Sequence, residues 1–173
     1  MKHQAITLIS ALLLLPFFAN AQKLVDTRDQ ATGWYVPVKF KVTAQGGDAK
    51  TVDVQVYKEN SLVHDIPNSK GKFSLNLDLG STYTIMLAKP GFRKKNFTMD
   101  TSVPQDVVEY PGYACVIDLD ADEKYTHADP FYLDFPSVIV SWDDEAHGFM
   151  PHMNYLSEIQ SKVAMLRAQM DPR

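Results

Sequence analysis

Residues 71–92 read GKFSLNLDLGSTYTIMLAKPGF, and the alternation in this stretch carries the fold. Phe73, Leu75, Leu77 and Leu79 fall on one side of an extended chain, with Lys72, Ser74, Asn76 and Asp78 on the other. That is the period-two signature of an antiparallel strand with one buried and one solvated face. Gly80 interrupts the pattern, and Tyr83, Ile85 and Leu87 resume it. Lys89-Pro90-Gly91 ends it, because proline fixes φ, has no N–H for a ladder, and precedes a glycine suited to a type II turn. The spacing predicts strands over 72–79 and 82–88, joined as a hairpin or as a corner between two sheets.

The same alternation recurs on either side. Val36, Val38, Phe40 and Val42 share a face in WYVPVKFKV, and Val52, Val54 and Val56 share one in TVDVQVY. Between them AQGGDAK is turn material, with Gly46 and Gly47 free to take positive φ. Glu59-Asn60-Ser61 marks a tight turn before a short strand, LVHDI. FRKKNFTMD forms a further, less cleanly alternating strand, and YACVIDLD closes the main set. Short strands at roughly ten-residue spacing, with no helix between them, predict an all-β fold. The expected architecture is an antiparallel β-sandwich spanning 34–120.

From residue 121 the texture changes. ADEKYTHADPFYLDFP is polar, then aromatic, and carries two prolines, which predicts an irregular extension lying over the sandwich. SVIVSW at 137–142 is suited to one added strand. MNYLSEIQSKVAMLRAQM is helical by spacing, with Leu156, Ile159, Val163, Leu166 and Met170 along one stripe and Glu158 paired with Lys162 one turn on. Asp171-Pro172 can stop it. Two heptads are too few for a coiled coil, so the stripe is expected to dock on the chain's own sandwich, with a partner as the alternative.

The ends and the charge set the compartment. Lys2 and His3 precede an apolar run, AITLISALLLLPFFA, and Ala19-Asn20-Ala21 has the small-x-small form of a signal-peptidase site. Residues 1–21 are therefore expected to be a cleaved signal peptide, with 22–33 a linker and 121–173 the extension. The run is shorter than the roughly 20 apolar residues needed to cross a bilayer, and no later stretch is suited to a span. Without Lys2 the chain carries 16 basic and 21 acidic side chains, a formal charge of −5. A nucleic-acid surface needs a basic face, and Arg93-Lys94-Lys95 is more simply a solvated strand end. Cys115 is the single cysteine, so no intrachain disulfide forms. Alternation places it with Tyr113, Ile117 and Leu119 on an apolar face, the setting of an inert structural thiol.

The motif Gly71-x-Phe73, Leu77-x-x-Gly80-x-x-Tyr83 and Lys89-x-Gly91-Phe92 resembles the carboxypeptidase regulatory-like β-sandwich, a transthyretin-like family found in exported and surface proteins of the Bacteroidetes. The resemblance covers roughly residues 34–103. It implies a strand, a turn glycine and a Gly-Tyr/Phe corner with a tyrosine packed near it, all as fold determinants. The family accompanies enzymes, receptors and adhesins without being catalytic. Phe92 stands where the family more often has tyrosine, and the usual opening strand with its Gly-x-Pro is poorly kept around 40–50.

Several constellations carry residue types suited to chemistry. Asp118, Asp120, Asp122, Thr126 and Asp129 occupy the first, third, fifth, ninth and twelfth positions of a calcium-loop template, but the sixth, which needs glycine for its sharp turn, is Glu123. A solvated strand end and an acidic loop explain the same residues. Of His64, His127, His147 and His152, the last two are five apart with Pro151 between them, unlike the helical spacing that puts two imidazoles on one zinc. Asp143, Asp144 and Glu145 offer paired carboxylates, yet adjacent acids before AHGF also suit a hairpin tip. Asn96-Phe97-Thr98 is a glycosylation sequon by spacing alone. Phe131, Tyr132, Phe135 and Trp142 could stack on sugars or, more simply, cover the sandwich edge. No nucleophile elbow or phosphate loop is present. No catalytic, metal or cofactor residue is assigned. The expected function is a non-enzymatic, secreted or periplasmic interaction or structural module with a protein partner in the cell envelope. A calcium- or carbohydrate-binding secreted protein is the alternative.

Overall fold

A computed structural model of the chain describes residues 34–125 and 133–169; the expected signal peptide 1–21 and linker 22–33 lie outside the described residues. The strands are β1 (Tyr35–Ala44), β2 (Gly47–Asp48), β3 (Val52–Lys58), β4 (Ser61–Ser69), β5 (Lys72–Asp78), β6 (Thr82–Lys89), β7 (Phe92–Asp100), β8 (Tyr113–Leu119), β9 (Val138–Asp143) and β10 (Gly148–Pro151). A short 3-10 turn covers Asp122–Tyr125, and a helix, α1, runs Met153–Gln169.

The strands form two packed sheets, the β-sandwich the alternation predicts. In the smaller sheet β1 is central, with β5 antiparallel on one side, β8 parallel on the other, and β2 folding back over the end of β1. The larger sheet has the order β10-β9-β7-β6-β3-β4. Two pairs, β1 with β8 and β7 with β9, are parallel rather than antiparallel. Parallel neighbours need a long crossover. Here the chain leaves β7, crosses to the smaller sheet as β8, and returns as β9, so a strand of the opposite sheet takes the place of a crossover helix.

The core lies where the two inward faces meet. Val36, Val38, Phe40 and Val42 of β1 and Leu75 and Leu77 of β5 face Val54, Val56, Ile85, Leu87, Phe97 and Met99 of the larger sheet, all buried. Phe97 packs edge-on to Phe40 at 5.1 Å, and Phe40 stacks on Phe73 at 5.0 Å. Each such side chain contributes about 1.5–3 kcal/mol by leaving water. The edge strand β4 is different. It is exposed along nearly its whole length, has only β3 as a neighbour among the described residues, and is broken by register shifts and Pro67, devices that discourage edge-to-edge pairing.

The stretch 71–92 makes a corner between sheets, not a hairpin. Gly71 is pressed between neighbours: a Cβ there would sit 2.5 Å from the Ala49 carbonyl oxygen and 2.7 Å from that of Val42. Further on, Leu79 N–H donates to the Trp34 carbonyl across to β1. By alternation Asp78 then turns its own N–H and C=O away from β1. Two side chains of the larger sheet receive them: Asp78 N–H donates to Tyr83 Oη at 3.1 Å, and Thr101 Oγ1 donates to the Asp78 carbonyl at 2.7 Å. Gly80, at φ 69°, supplies the left-handed bend between the two strands. Lys58 closes the corner from β3 with an ion pair to the Asp78 carboxylate at 2.8 Å.

After β9 a turn at 144–147, with His147 at φ 47°, leads into β10, a strand the sequence reading did not separate. His152 N–H donates to the Ile139 carbonyl, and Leu156 N–H to the His152 carbonyl, which starts α1 against β9. Of the predicted stripe, Ile159 is buried while Leu156, Val163 and Leu166 are half-buried; Met170 lies outside the described residues. Tyr155 Oη donates to the Pro136 carbonyl at 2.5 Å. Among the described residues no helix is long and apolar enough to cross a membrane.

Candidate docking groove

The two sheets differ in width, and this opens a groove. The smaller sheet ends at β8, whereas the larger continues past β7 into β9 and β10. Arg93 and Lys95 share the inward side of β7 with Phe97 and Met99, but β8 covers them only partly. Helix α1 covers part of the remainder. Between it and β8 lies a groove of about 510 Å³, with Ile117 and Val138 at its base and Leu156, Ile159 and Val163 along the helical wall. Arg93 and Lys95 stand at its basic end.

The outer edge of β8 faces this groove. The Leu119 carbonyl points toward β1, where it accepts from Gln45 N–H at 3.1 Å. The Asp118 carbonyl points the other way and accepts from Lys95 Nζ. By the same alternation Ala114 and Val116 direct N–H and C=O outward. Among the described residues no strand pairs with that edge. Val116 is 69% exposed, an apolar side chain on the outer face of the strand.

The ionisable groups around the groove are held, not poised for reaction. Lys95 pairs with Asp120 at 3.1 Å, their side chains only 17% and 11% exposed. The Arg93 guanidinium lies 5.1 Å from the centre of the Tyr125 ring and donates to the Leu133 carbonyl. Burial pushes the Cys115 thiol up to about 11 and the Tyr113 phenol up to about 12. A thiol held protonated in this way is a poor nucleophile.

The structure separates most of the constellations seen in sequence. Asp118 Oδ1 accepts from Thr43 Oγ1 and Gly46 N–H, while Asp120 takes Tyr125 Oη and Lys95. Asp122 opens the 3-10 turn, and Thr126 and Asp129 lie outside the described residues. No group of three or more metal-ligating side chains converges among the described residues. Asp143 Oδ1 accepts from Ala146 N–H and Asp144 Oδ1 from Trp142 Nε1, so these acids shape the hairpin tip. Trp142 packs edge-on to Phe149 at 5.6 Å, Phe135 is only just exposed, and Phe131 and Tyr132 lie outside the described residues. Asn96 sits in mid-strand on β7, its side-chain amide toward the Asp134 carbonyl. His64 is exposed on β4, and His127 lies outside the described residues.

Two features escaped the sequence. Ser141 Oγ and His152 Nε2 are 2.7 Å apart, a pairing made by β9 and the start of α1 across eleven residues. Nucleophile activation also needs a group to orient the imidazole. His152 has no such partner among the described residues, and its backbone is engaged in starting the helix. The other feature is the β8 edge, whose sequence signal is Val116, an apolar residue in the outward register of YACVID. In comparisons with known proteins, no family model and no curated protein matches the chain.

Proposed function

We propose that the chain is a non-enzymatic, exported β-sandwich that serves as an interaction module in the cell envelope or outside the cell, of the carboxypeptidase regulatory-like kind that residues 71–92 resemble. The observation that carries this reading is the groove of about 510 Å³ bounded by a strand edge that is unpaired among the described residues and by an apolar helix face. Such an edge supplies main-chain donors and acceptors, and the apolar walls supply pockets for alternate side chains. The leader at 1–21 and the single cysteine suit export without a disulfide framework.

A photoreactive phenylalanine analogue placed at Val116, and a second at Val63 on β4, test the surface in native cells. Cross-linked adducts at position 116 and none at 63 support the reading. Equal labelling at both positions, or none at either, refutes it. The mature product is expected to begin at Gln22, and a protein retaining residues 1–21 sinks the export half of the proposal.

A further inference from the structure

The outer face of the smaller sheet carries a charge pattern at odds with the chain as a whole. The protein is acidic, yet Lys39 and Lys41 of β1 and Lys72 of β5 all project from this face, exposed. Lys41 lies directly across from Lys72 on one side and from Val116 on the other; Lys39 lies across from Ser74 and Ala114. Like charges opposite one another on a sheet destabilise it. Among the described residues none of these lysines has an ion-pair partner. Asp118, further along β8, is already taken by Thr43 and Gly46. The repulsion is thus uncompensated among the described residues, on the strand next to β8 and the one beyond it.

Resting on the reading of this edge as a docking surface, we infer that its partner is an extended protein segment alternating apolar and acidic residues, which adds as a strand to β8. An added strand would present alternate side chains to two different surroundings. One set enters the groove against Ile117, Val138, Ile159 and Val163. The other lies on the outer face beside Val116. Two strand spacings, about 10 Å, separate it there from Lys41, a distance that a lysine and a glutamate side chain span together. The lysines alone would suit any polyanion. The outward N–H and C=O groups of Ala114 and Val116 and the apolar groove select a polypeptide.

The test uses the mature chain and a fluorescein-labelled nine-residue peptide alternating valine and glutamate, with valine–serine and valine–lysine peptides as controls. Anisotropy gives the affinities, and backbone amide exchange at Ala114 and Val116 gives the location. The valine–glutamate peptide is expected to bind about tenfold tighter than the valine–serine one, with the advantage falling at high salt. Its binding should slow exchange at both amides. Val116→Pro removes an outward N–H and spares the ladder to β1, so it should abolish binding while thermal stability stays near that of the parent. The combined Lys39→Glu, Lys41→Glu and Lys72→Glu variant should reverse the preference toward the valine–lysine peptide, and it tests the inference even if Val116→Pro fails to fold. Equal affinity for the serine and glutamate peptides overturns the acidic partner and leaves the docking edge standing. Failure of every peptide also overturns it, with the cross-link at position 116 then deciding the edge independently. A dimer with Ala114 and Val116 already protected overturns it in favour of a second copy, and a monomer so protected in favour of residues 22–33. Lysine-dependent binding to phosphatidylglycerol vesicles without peptide binding overturns it in favour of a lipid surface.

Discussion

Thr101 offers the most direct test of the corner that joins the two sheets. Its side chain is fully buried, with 0% exposure. Its hydroxyl accepts from Ser81 N–H at 3.0 Å and lies 2.7 Å and 2.8 Å from the Asp78 and Ser81 carbonyl oxygens. Ser81 O keeps a second donor, Thr101 N–H at 3.0 Å. Thr101→Val would therefore orphan two groups, Ser81 N–H and the Asp78 carbonyl. An unsatisfied buried group costs about 1–3 kcal/mol. Ser81 and Asp78 are half-buried, so the lower part of that range applies. The methyl that replaces the hydroxyl returns about 0.8 kcal/mol. The expected net loss is about 2 kcal/mol, which for a chain of 173 residues lowers Tm by about 6 °C. Thr101→Ser keeps the hydroxyl and should cost about 1 kcal/mol or less. Urea unfolding followed by tryptophan fluorescence measures both, with an unchanged m-value showing that only stability has moved. If the valine variant stays within about 0.5 kcal/mol of the parent, or the serine variant costs as much as the valine one, the corner is not held by this hydroxyl.

Three further outcomes follow from the same packing. Tyr83→Phe removes the acceptor of Asp78 N–H and should cost about 1–2 kcal/mol; a double-mutant cycle with Thr101→Val should show coupling, because both side chains serve one residue. The Cys115 thiol, raised from 9.0 to about 11, should react with iodoacetamide at pH 8 about a hundredfold more slowly in the folded protein than in the urea-unfolded one. Cys115 and Tyr113 both have folded pKa values above their ordinary 9.0 and 10.0, so the stability they contribute is full below pH 9.0 and falls as pH rises toward about 12. A Tm that climbs across that alkaline window contradicts their burial. Ile159→Asp places a charge on the buried point of α1; far-ultraviolet circular dichroism should lose helix while the β signal and the main unfolding transition persist, and loss of the whole transition would mean that the sandwich depends on the helix.

The sandwich was legible because its strands each have one wet face, and period-two alternation is a local property of the chain. Every inward residue named from β1, β3 and β6 is buried, and SVIVSW became β9. The less regular β7 has a physical cause that no local pattern contains: Arg93 and Lys95 occupy inward positions because the smaller sheet has run out above them. The acidic run 118–122 fits part of a calcium-loop template because spacing reports order along the chain. It does not report that Thr43, Gly46, Lys95 and Tyr125 take up the carboxylates of Asp118 and Asp120.

By itself the sequence determined which side chains of β1, β3, β5 and β6 face oil and which face water, where the turns fall, and that the residues after β10 form an amphipathic helix. Those follow from alternation, glycine, proline and helical spacing, which act over a few residues at a time. The tertiary structure alone decided that β8 runs parallel to β1 and β9 to β7, that Tyr83 and Thr101 clasp Asp78, and that three lysines share the outer face of the smaller sheet with Val116. Each of these depends on residues far apart in the chain, brought together by sheets of unequal width, and contact at that range leaves no mark in local periodicity.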